Sequence, residues 1–446
     1  MNNKKEIFEQ MPVPRALAVM ALPTIVSQLI TLFYNITDTW FIGRTDNPYM
    51  VGACSMVATV FLMVQTLSNI FGAGGGTLAV NLLGAGDEEE SGKVASLSLV
   101  MAAACSLLFS VICYFAMRPL LLFLGASDQT YGYARQYLLL VVIIGAAPTV
   151  LSSTMSFMLR NVGYAREAAF GLGFAGLLNV ALDPLFMFVL LPDGCQVLGA
   201  ALATLLSNIC SLLYFIRTYR KVAGQSVLRL PTRIERIRGE SMRGIFAIGL
   251  PSGLSLLFYD LTNMMLNRLS ASHGDLNLAA MGIVLKVERL PLNIGIGICL
   301  GMAPLIAYNY ASGNRKRMMA FFRTARLAGL TISLISVILY FTCAPFIMKL
   351  FIQNPDTVSI GVQILKARCF ATPFMFLSFH MVYLMQAVKK GSIAFLLAFI
   401  RQLCLNIPIL LLLNYLFGMD GLVWSQVTAD ILNVLISYLI YFRLKL

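Results

Sequence analysis

Five carboxylates interrupt long apolar runs: Asp38, Asp183, Asp260, Glu288 and Asp430. A charge inside such a run is costly unless a proton, a cation or a basic partner accompanies it, so each is a functional candidate. Asp38 ends a stripe of Ser27, Thr31 and Asn35 whose spacings of four, four and three put all four residues on one helix face. Pro23, one turn before the stripe, is expected to bend that helix by removing a backbone hydrogen bond. Asp183 follows Asn179 by four residues and precedes Pro184, which cannot bond the carbonyl of Val180. A carboxylate beside an amide and a freed carbonyl can hold Na⁺, H₃O⁺ or a proton. Asp38, Asn179 and Asp183 are therefore the expected cation-coupling residues, with Na⁺ at Asp38 and Asp183 an open alternative to H⁺. Thr204 and Asn208 on the next apolar run are expected to line the same chamber.

The second half of the chain is chemically less sharp. Lys286, Glu288 and Arg289 fall within four residues of one another just before Pro291, and substrate contact and internal ion pairing are even readings. Asp260 lies beside Tyr259, and Asp430 shares a face with Gln426, Asn433 and Ser437; both fit ties between helices better than function. Asn263, His380 and Tyr383 complete the cavity candidates, although a lone histidine near Phe376 is more often packed core. The 23 Met, 29 Phe and 17 Tyr mostly pack, but such walls also suit a pocket for varied flat, apolar ligands.

The elements that must carry these residues follow from composition. Of 446 residues, 59% are hydrophobic and 12% charged, against about 25% charged in an average soluble domain. That excludes a soluble enzyme, a disordered chain and a nucleic-acid-binding module. Apolar runs near 16–42, 50–72, 94–117, 136–159, 167–191, 197–216, 244–267, 279–306, 324–345, 359–386, 391–414 and 421–442 predict twelve membrane-spanning helices. The first run is too long for a leader h-region and is expected to remain as the first span. The N-terminus and even-numbered loops hold 23 Lys and Arg and the odd-numbered loops six, which places both termini in the cytoplasm. Arg160 is counted among those loop residues. The net charge of +13 then reads as loops facing anionic lipid rather than nucleic acid. Nine cysteines show no CxxC spacing and only two histidines are present, so no disulfide framework, cysteine or histidine metal site or cofactor is expected. No phosphate-binding G-x-x-x-x-G-K-[ST], nucleophile elbow or HExxH occurs, which argues against an ATP-driven motor and against an enzyme. The run Gly72-Ala73-Gly74-Gly75-Gly76 lacks a following lysine and reads as close packing or a hinge.

The chain also repeats. Leu22-Pro23 with Asn35 recurs as Leu250-Pro251 with Asn263, and Gly74 with Gly86-Asp87 as Gly301 with Gly313-Asn314. Pro148 and Phe170 recur as Pro373 and Phe395, and Gly199-Ala200 with Asn208 as Gly421-Leu422 with Asp430. These matches predict an all-α membrane protein of two pseudo-symmetric six-helix lobes, 1–220 and 244–446, joined by a basic cytoplasmic linker, 221–243. Six crossings per lobe make the repeat parallel, with a central cleft suited to alternating access.

At these residues the sequence resembles the MATE (multidrug and toxic compound extrusion) exporters over nearly its whole length. The resemblance rests on Leu22-Pro23 through Asn35-Ile36-Thr37-Asp38, on Asn179-Val180-Ala181-Leu182-Asp183-Pro184 and on Gly199-Ala200-Ala201-Leu202-Ala203-Thr204. It implies an antiporter of the inner membrane that expels organic cations, drug-like and amphipathic, using H⁺ or Na⁺, and acts as a monomer. It also implies the DinF/MepA-like branch, with a first-lobe cation chamber at Asp38, Asn179 and Asp183 and a bend at Pro23. The NorM-like branch places an acid on the tenth span, where this sequence has His380. Two other readings remain at this level. A lipid-linked oligosaccharide flippase would need Lys286, Arg289 and Arg401 clustered at the cleft, and a membrane-embedded transferase would need a catalytic His380.

Overall fold

The computed structural model describes residues 2–45, 47–192, 194–231 and 238–444, and they are almost entirely helical. In chain order the long helices are α1 (Val13–Gly43), α2 (Pro48–Gly84), α3 (Glu88–Phe115), α4 (128–161), α5 (Ala165–Leu190) and α6 (Gln196–Val222). The second half follows with α7 (Gly239–Ser272), α8 (Asp275–Ala311), α9 (Arg315–Phe351) and α10 (Pro355–Ala387), and then a 53-residue helical stretch, Gly391–Arg443. As one rod that stretch would measure about 80 Å, far beyond a hydrocarbon core of about 30 Å. Gly418 breaks it, at φ +60° and ψ −133°, a conformation that strains any residue with a Cβ. The two limbs run back along each other, with Asn406 bonding Gln426 and Arg401 bonding Asp430. They are α11 (391–417) and α12 (419–443). Helix α4 has the opposite peculiarity: its limbs, Asp128–Ile144 and Ala146–Asn161, bend by 45° at Gly145. Counting α4 once and the last stretch as two limbs, the described residues form twelve long helices in the order of the twelve apolar runs.

Most helices overrun their apolar windows. The second span, expected to end at residue 72, continues through the glycine-rich run to Gly84. Close contact holds that stretch: an added Cβ on Gly75 would lie 2.1 Å from the Ser98 hydroxyl, and one on Gly76 2.6 Å from the Asn161 amide. The repeat recurs in three dimensions at matching turns. Gly86 (φ +84°) precedes Asp87, which caps α3, and Gly313 (φ +78°) precedes Asn314, which caps α9.

The two lobes meet at the end of the bundle that carries the N-terminus. There α2 lies against α7 so tightly that a Cβ on Gly249 would sit 2.0 Å from the Ile70 carbonyl, and one on Gly74 2.3 Å from that of Ile245. Helices α1 and α8 meet in the same way, Gly301 against Ala21 and Gly297 against Ile25. Small residues permit this approach, and the gain is dispersion between closely packed backbones. Polar contacts fasten the same end. Glu90 accepts from the backbone N–H of Arg238 (3.0 Å) and from Ser241 (2.7 Å), capping α7, while Arg238 pairs with Asp87 at 2.9 Å. The short helix Asn2–Glu9 bridges the lobes: Lys5 meets Glu88 of the first, and Arg317 of the second donates to the Phe8 carbonyl at 2.6 Å. Residues 232–237 of the basic linker, with Arg233 and Arg236, lie outside the described residues, as does Lys445.

Alanine normally stabilises a helix relative to glycine by about 1 kcal/mol. Gly249→Ala should nevertheless lower the thermal midpoint in detergent, because overpacking costs about 1–3 kcal/mol. Gly282→Ala, whose Cβ meets nothing within 4 Å, should leave the midpoint unchanged or raise it. Equal midpoints for the two variants would show that the seam does not hold the lobes.

Candidate functional site

Inside the first lobe, Gly173 and Gly176 bring α5 so close to α1 that a Cβ added to either would lie 3.0 Å from the Ile30 side chain, and this contact decides which polar groups meet. Asp38 and Asp183 come close enough for their charges to interact, and the Tyr34 and Tyr137 phenols lie within electrostatic reach of both. Asp183 is fully buried and Asn179 nearly so. The Asn179 amide donates to Asp183 Oδ1 and to Thr204 Oγ1 of α6, each at 3.4 Å. Three buried acceptors have no hydrogen-bond partner among the described residues: Asp38 Oδ1, Asp183 Oδ2 and Asn179 Oδ1. Two carboxylates with a surplus of acceptors and no basic partner are an electrostatic demand for a proton or a small cation. After Pro184 the helix widens into a π-helical segment, Leu185–Leu190, where the exposed Phe188 meets Phe41 at 6.2 Å.

A second space lies between the lobes. Its volume is about 400 Å³, and both halves of the chain line it, from Gln28 to Asn208 and from Ser252 to Gln402. Asn179, Thr204, Asn208 and Tyr383 are in its wall. Asn179 and Thr204 thus belong to two places at once, chamber and cavity. The wall mixes aromatic faces (Phe61, Phe157, Tyr259, Phe379) with hydroxyls and amides, and among the described residues its charged members are Arg160 and Arg401. Arg160 is a residue that sequence reading assigned to a cytoplasmic loop. It sits just past an apolar window, and nothing in the local pattern marks it as buried, yet it is 3% exposed.

The remaining candidates fall elsewhere. Asn35 is exposed and donates back to the Thr31 carbonyl at 2.8 Å, and Thr31 in turn bonds its own helix at Ser27. The stripe on α1 therefore mostly satisfies itself. Asn263 is half-buried and outside the cavity wall, as is His380. His380 is fully buried, bonds the Phe322 carbonyl at 3.1 Å and stacks on the Phe322 ring at 4.3 Å. It is packed core, as the aromatic neighbours alone suggested. Helix α1 runs unbroken through Pro23. Glu288 does not pair with Lys286 or Arg289, which are exposed. It receives two hydrogen bonds from Arg368 of α10, at 2.8 and 3.0 Å, a bidentate buried pair. Asp430 likewise accepts from Arg401 at 2.7 Å and from Gln426 at 2.6 Å. Glu288 and Asp430 of the second lobe are thus neutralised within the fold, whereas Asp38 and Asp183 are not; Asp260 is half-buried, with the exposed Arg289 near enough to act on it electrostatically. Of the three cations that a pyrophosphate site would have required, only Arg401 lines the cavity.

Comparison with known proteins follows this geometry. The MatE family model matches residues 23–185 and again 251–412, starting on the two repeated prolines. The multidrug export protein MepA of Staphylococcus aureus (strain MSSA476) is 30% identical over 438 residues, covering 98% of this chain and 95% of its own length. MepA of Staphylococcus saprophyticus is 27% identical with the same coverage. Among solved structures, an outward-facing multidrug resistance MATE family transporter of the MOP superfamily superposes with a TM-score of 0.93 at 20% identity, over 100% of this chain and 98% of its own.

If Glu288–Arg368 is a structural pair, Arg368→Met strands a buried carboxylate and should cost about 3–5 kcal/mol, while the double variant with Glu288→Met should cost much less. Thermal denaturation of the three proteins in detergent measures this. Equal losses for the single and double variants would mean that Glu288 does not depend on Arg368.

Proposed function

The chain belongs to the MATE family of multidrug exporters, and from that premise we propose a secondary antiporter that exchanges H⁺ or Na⁺ for drug-like amphipathic compounds by alternating access. The observation that carries the reading is the double membership of Asn179 and Thr204. A cation or proton entering the Asp38/Asp183 chamber competes for the Asp183 oxygen that Asn179 now bonds. Asn179 then changes its hold on Thr204, and both side chains are part of the wall that a substrate touches. Binding at one place alters the other through two hydrogen bonds, which is the differential interaction that coupling requires. A bend formed at Pro23 of α1, which is unbroken here and also carries Asp38, would extend the change to the lobe seam.

Closure at the N-terminal end and a cavity between the lobes fit an outward-facing state if the basic loops face the cytoplasm. The solved outward-facing relative supports that assignment. Both termini are then cytoplasmic, the protein is a multi-pass protein of the cell membrane, and one chain supplies both walls of the cavity as a working monomer. Breaking the seam at Gly249 and Glu90 while closing the opposite end would expose the cavity to the cytoplasm. One charge crossing 100 mV contributes about 2.3 kcal/mol to such a cycle. A cationic substrate would be held by the faces of Phe61, Phe157, Tyr259 and Phe379, worth about 0.5–2 kcal/mol per ring.

The test is ethidium movement in proteoliposomes under a pH gradient or a sodium gradient applied separately. One gradient should drive wild-type transport and thereby identify the ion. Asp38→Asn and Asp183→Asn should each slow the initial rate roughly tenfold or more, on the order of 1.4 kcal/mol in coupling. Gradient-driven transport that survives both substitutions would remove the first-lobe chamber from the mechanism.

A further inference from the structure

The repeat that relates the two lobes inverts their charge at one place. Asp87 and Asn314 cap the corresponding helices α3 and α9. The turn that follows is Glu88-Glu89-Glu90 in α3 but Arg315-Lys316-Arg317 in α9. Acids suit the first turn of a helix, and those of α3 are all engaged: Glu88 with Lys5, Glu89 with Lys93, Glu90 with the start of α7. Bases in the same position stand against the helix dipole. Arg317 is accounted for, since it donates to the carbonyls of Phe8 and Met11. Arg315 and Lys316 are exposed.

The positive charge continues along the helix. From Arg315 to Phe351, α9 contains no Asp or Glu, and Arg323 and Arg326 follow two and three turns on. Arg326 is half-buried, donates to the Tyr438 hydroxyl of α12 at 3.4 Å and covers the Phe322 ring at 5.8 Å. Arg323 is exposed, and both guanidiniums lie within electrostatic reach of Tyr441. Among the described residues no carboxylate pairs with Arg315, Lys316, Arg323 or Arg326. Helices α9 and α12 flank α10, where Phe322 stacks on His380 and Asn433 donates to Ser378 at 2.9 Å. They meet each other at this end, through Arg326 and Tyr438 and through the Phe322 and Tyr441 rings at 5.8 Å. A basic, tyrosine-lined junction between two helices is the chemistry that holds a lipid phosphate.

What surrounds the junction says which anion fits. Arg326 lies about 16 Å along α9 from Arg315. Beyond it the surface turns apolar at once: Leu327 is 69% exposed and, beside Tyr438, Leu439 is 64% exposed. A free phosphate has no use for such a flank, whereas a phospholipid presents a phosphate and then acyl chains in that order. A zwitterionic headgroup would bring its own cation to an already cationic place, so an anionic one is favoured. The first lobe offers an internal contrast, because the residues corresponding to Arg323 and Arg326 are Ser96 and Leu99.

We propose that the junction of α9 and α12 is a binding site for an anionic phospholipid, the phosphate held by Arg323 and Arg326 and the chains lying on Leu327 and Leu439. The site belongs to the second lobe alone and does not depend on the exporter reading. The test is native mass spectrometry of the full chain, in detergent, with equal amounts of dioleoyl phosphatidylglycerol and dioleoyl phosphatidylcholine, which share the same chains. Wild type should retain phosphatidylglycerol over phosphatidylcholine by roughly tenfold, the scale of one charge-assisted contact. The double variant Arg323→Gln/Arg326→Gln should lose that preference, and Arg323→Lys/Arg326→Lys should keep part of it. Arg323→Gln alone, at an exposed position, should lose part of it and decides the matter if the double variant does not fold. Arg217→Gln/Arg220→Gln, which removes two exposed arginines from the end of α6, should leave the preference intact. Equal retention of the two lipids by wild type, a preference that survives the Arg323 and Arg326 substitutions, or an equal loss in the α6 variant overturns the proposal. Displacement of phosphatidylglycerol by inorganic phosphate at equal concentration would make the site one for a free anion and overturns it too.

Discussion

The arrangement of this molecule depends on the backbone contact between lobes at Gly249 against Ile70 and Gly301 against Ala21. In a bilayer no hydrophobic force draws two helices together, since lipid is as apolar as leucine. Association must come from close packing and polar contacts, and here both are concentrated at one end. The glycines let backbones touch, and Glu90, Arg238 and the Asn2–Glu9 helix fasten the edges. Because the close seam lies at one end, the lobes can enclose a cavity between them. A seam along the full length would leave no cavity, and none at all would leave two separate bundles.

Symmetry of backbone is not symmetry of chemistry. The two halves share turns and caps at Gly86-Asp87 and Gly313-Asn314, yet their buried acids are treated oppositely. In the first lobe Asp38 and Asp183 face only neutral partners, so their charge is open to exchange. In the second lobe Glu288 and Asp430 are each locked to an arginine, Arg368 and Arg401, with their other oxygens also bonded. A fixed guanidinium stands where the first lobe leaves room for a mobile cation. That difference is what lets the proposed coupling ion be sought in the first lobe rather than the second.

The cavity sits between these regimes. Asn179 and Thr204 connect it to the exchangeable acids, and Arg401 connects it to the locked ones. Its lining is apolar rings interleaved with small hydroxyls and amides, which suits ligands of varied shape more than a single tight fit.

The sequence alone determined the helical membrane class, the order of the long helices, the repeat, and the pairing of Asn179 with Asp183. These follow from apolar run length and from residues a turn apart on one helix, which no tertiary contact needs to supply. Only the tertiary structure decided that Asn179 reaches Thr204, that Glu288 belongs to Arg368, that His380 is core, and that Arg160 is buried in the cavity wall rather than free in a loop. Each of these links or separates residues on different helices, and helical periodicity fixes which residues share a face but not which helix that face meets. Arg160 shows the limit most clearly: its burial comes from the packing of neighbouring helices around the end of α4, and its own flanking sequence carries no trace of them.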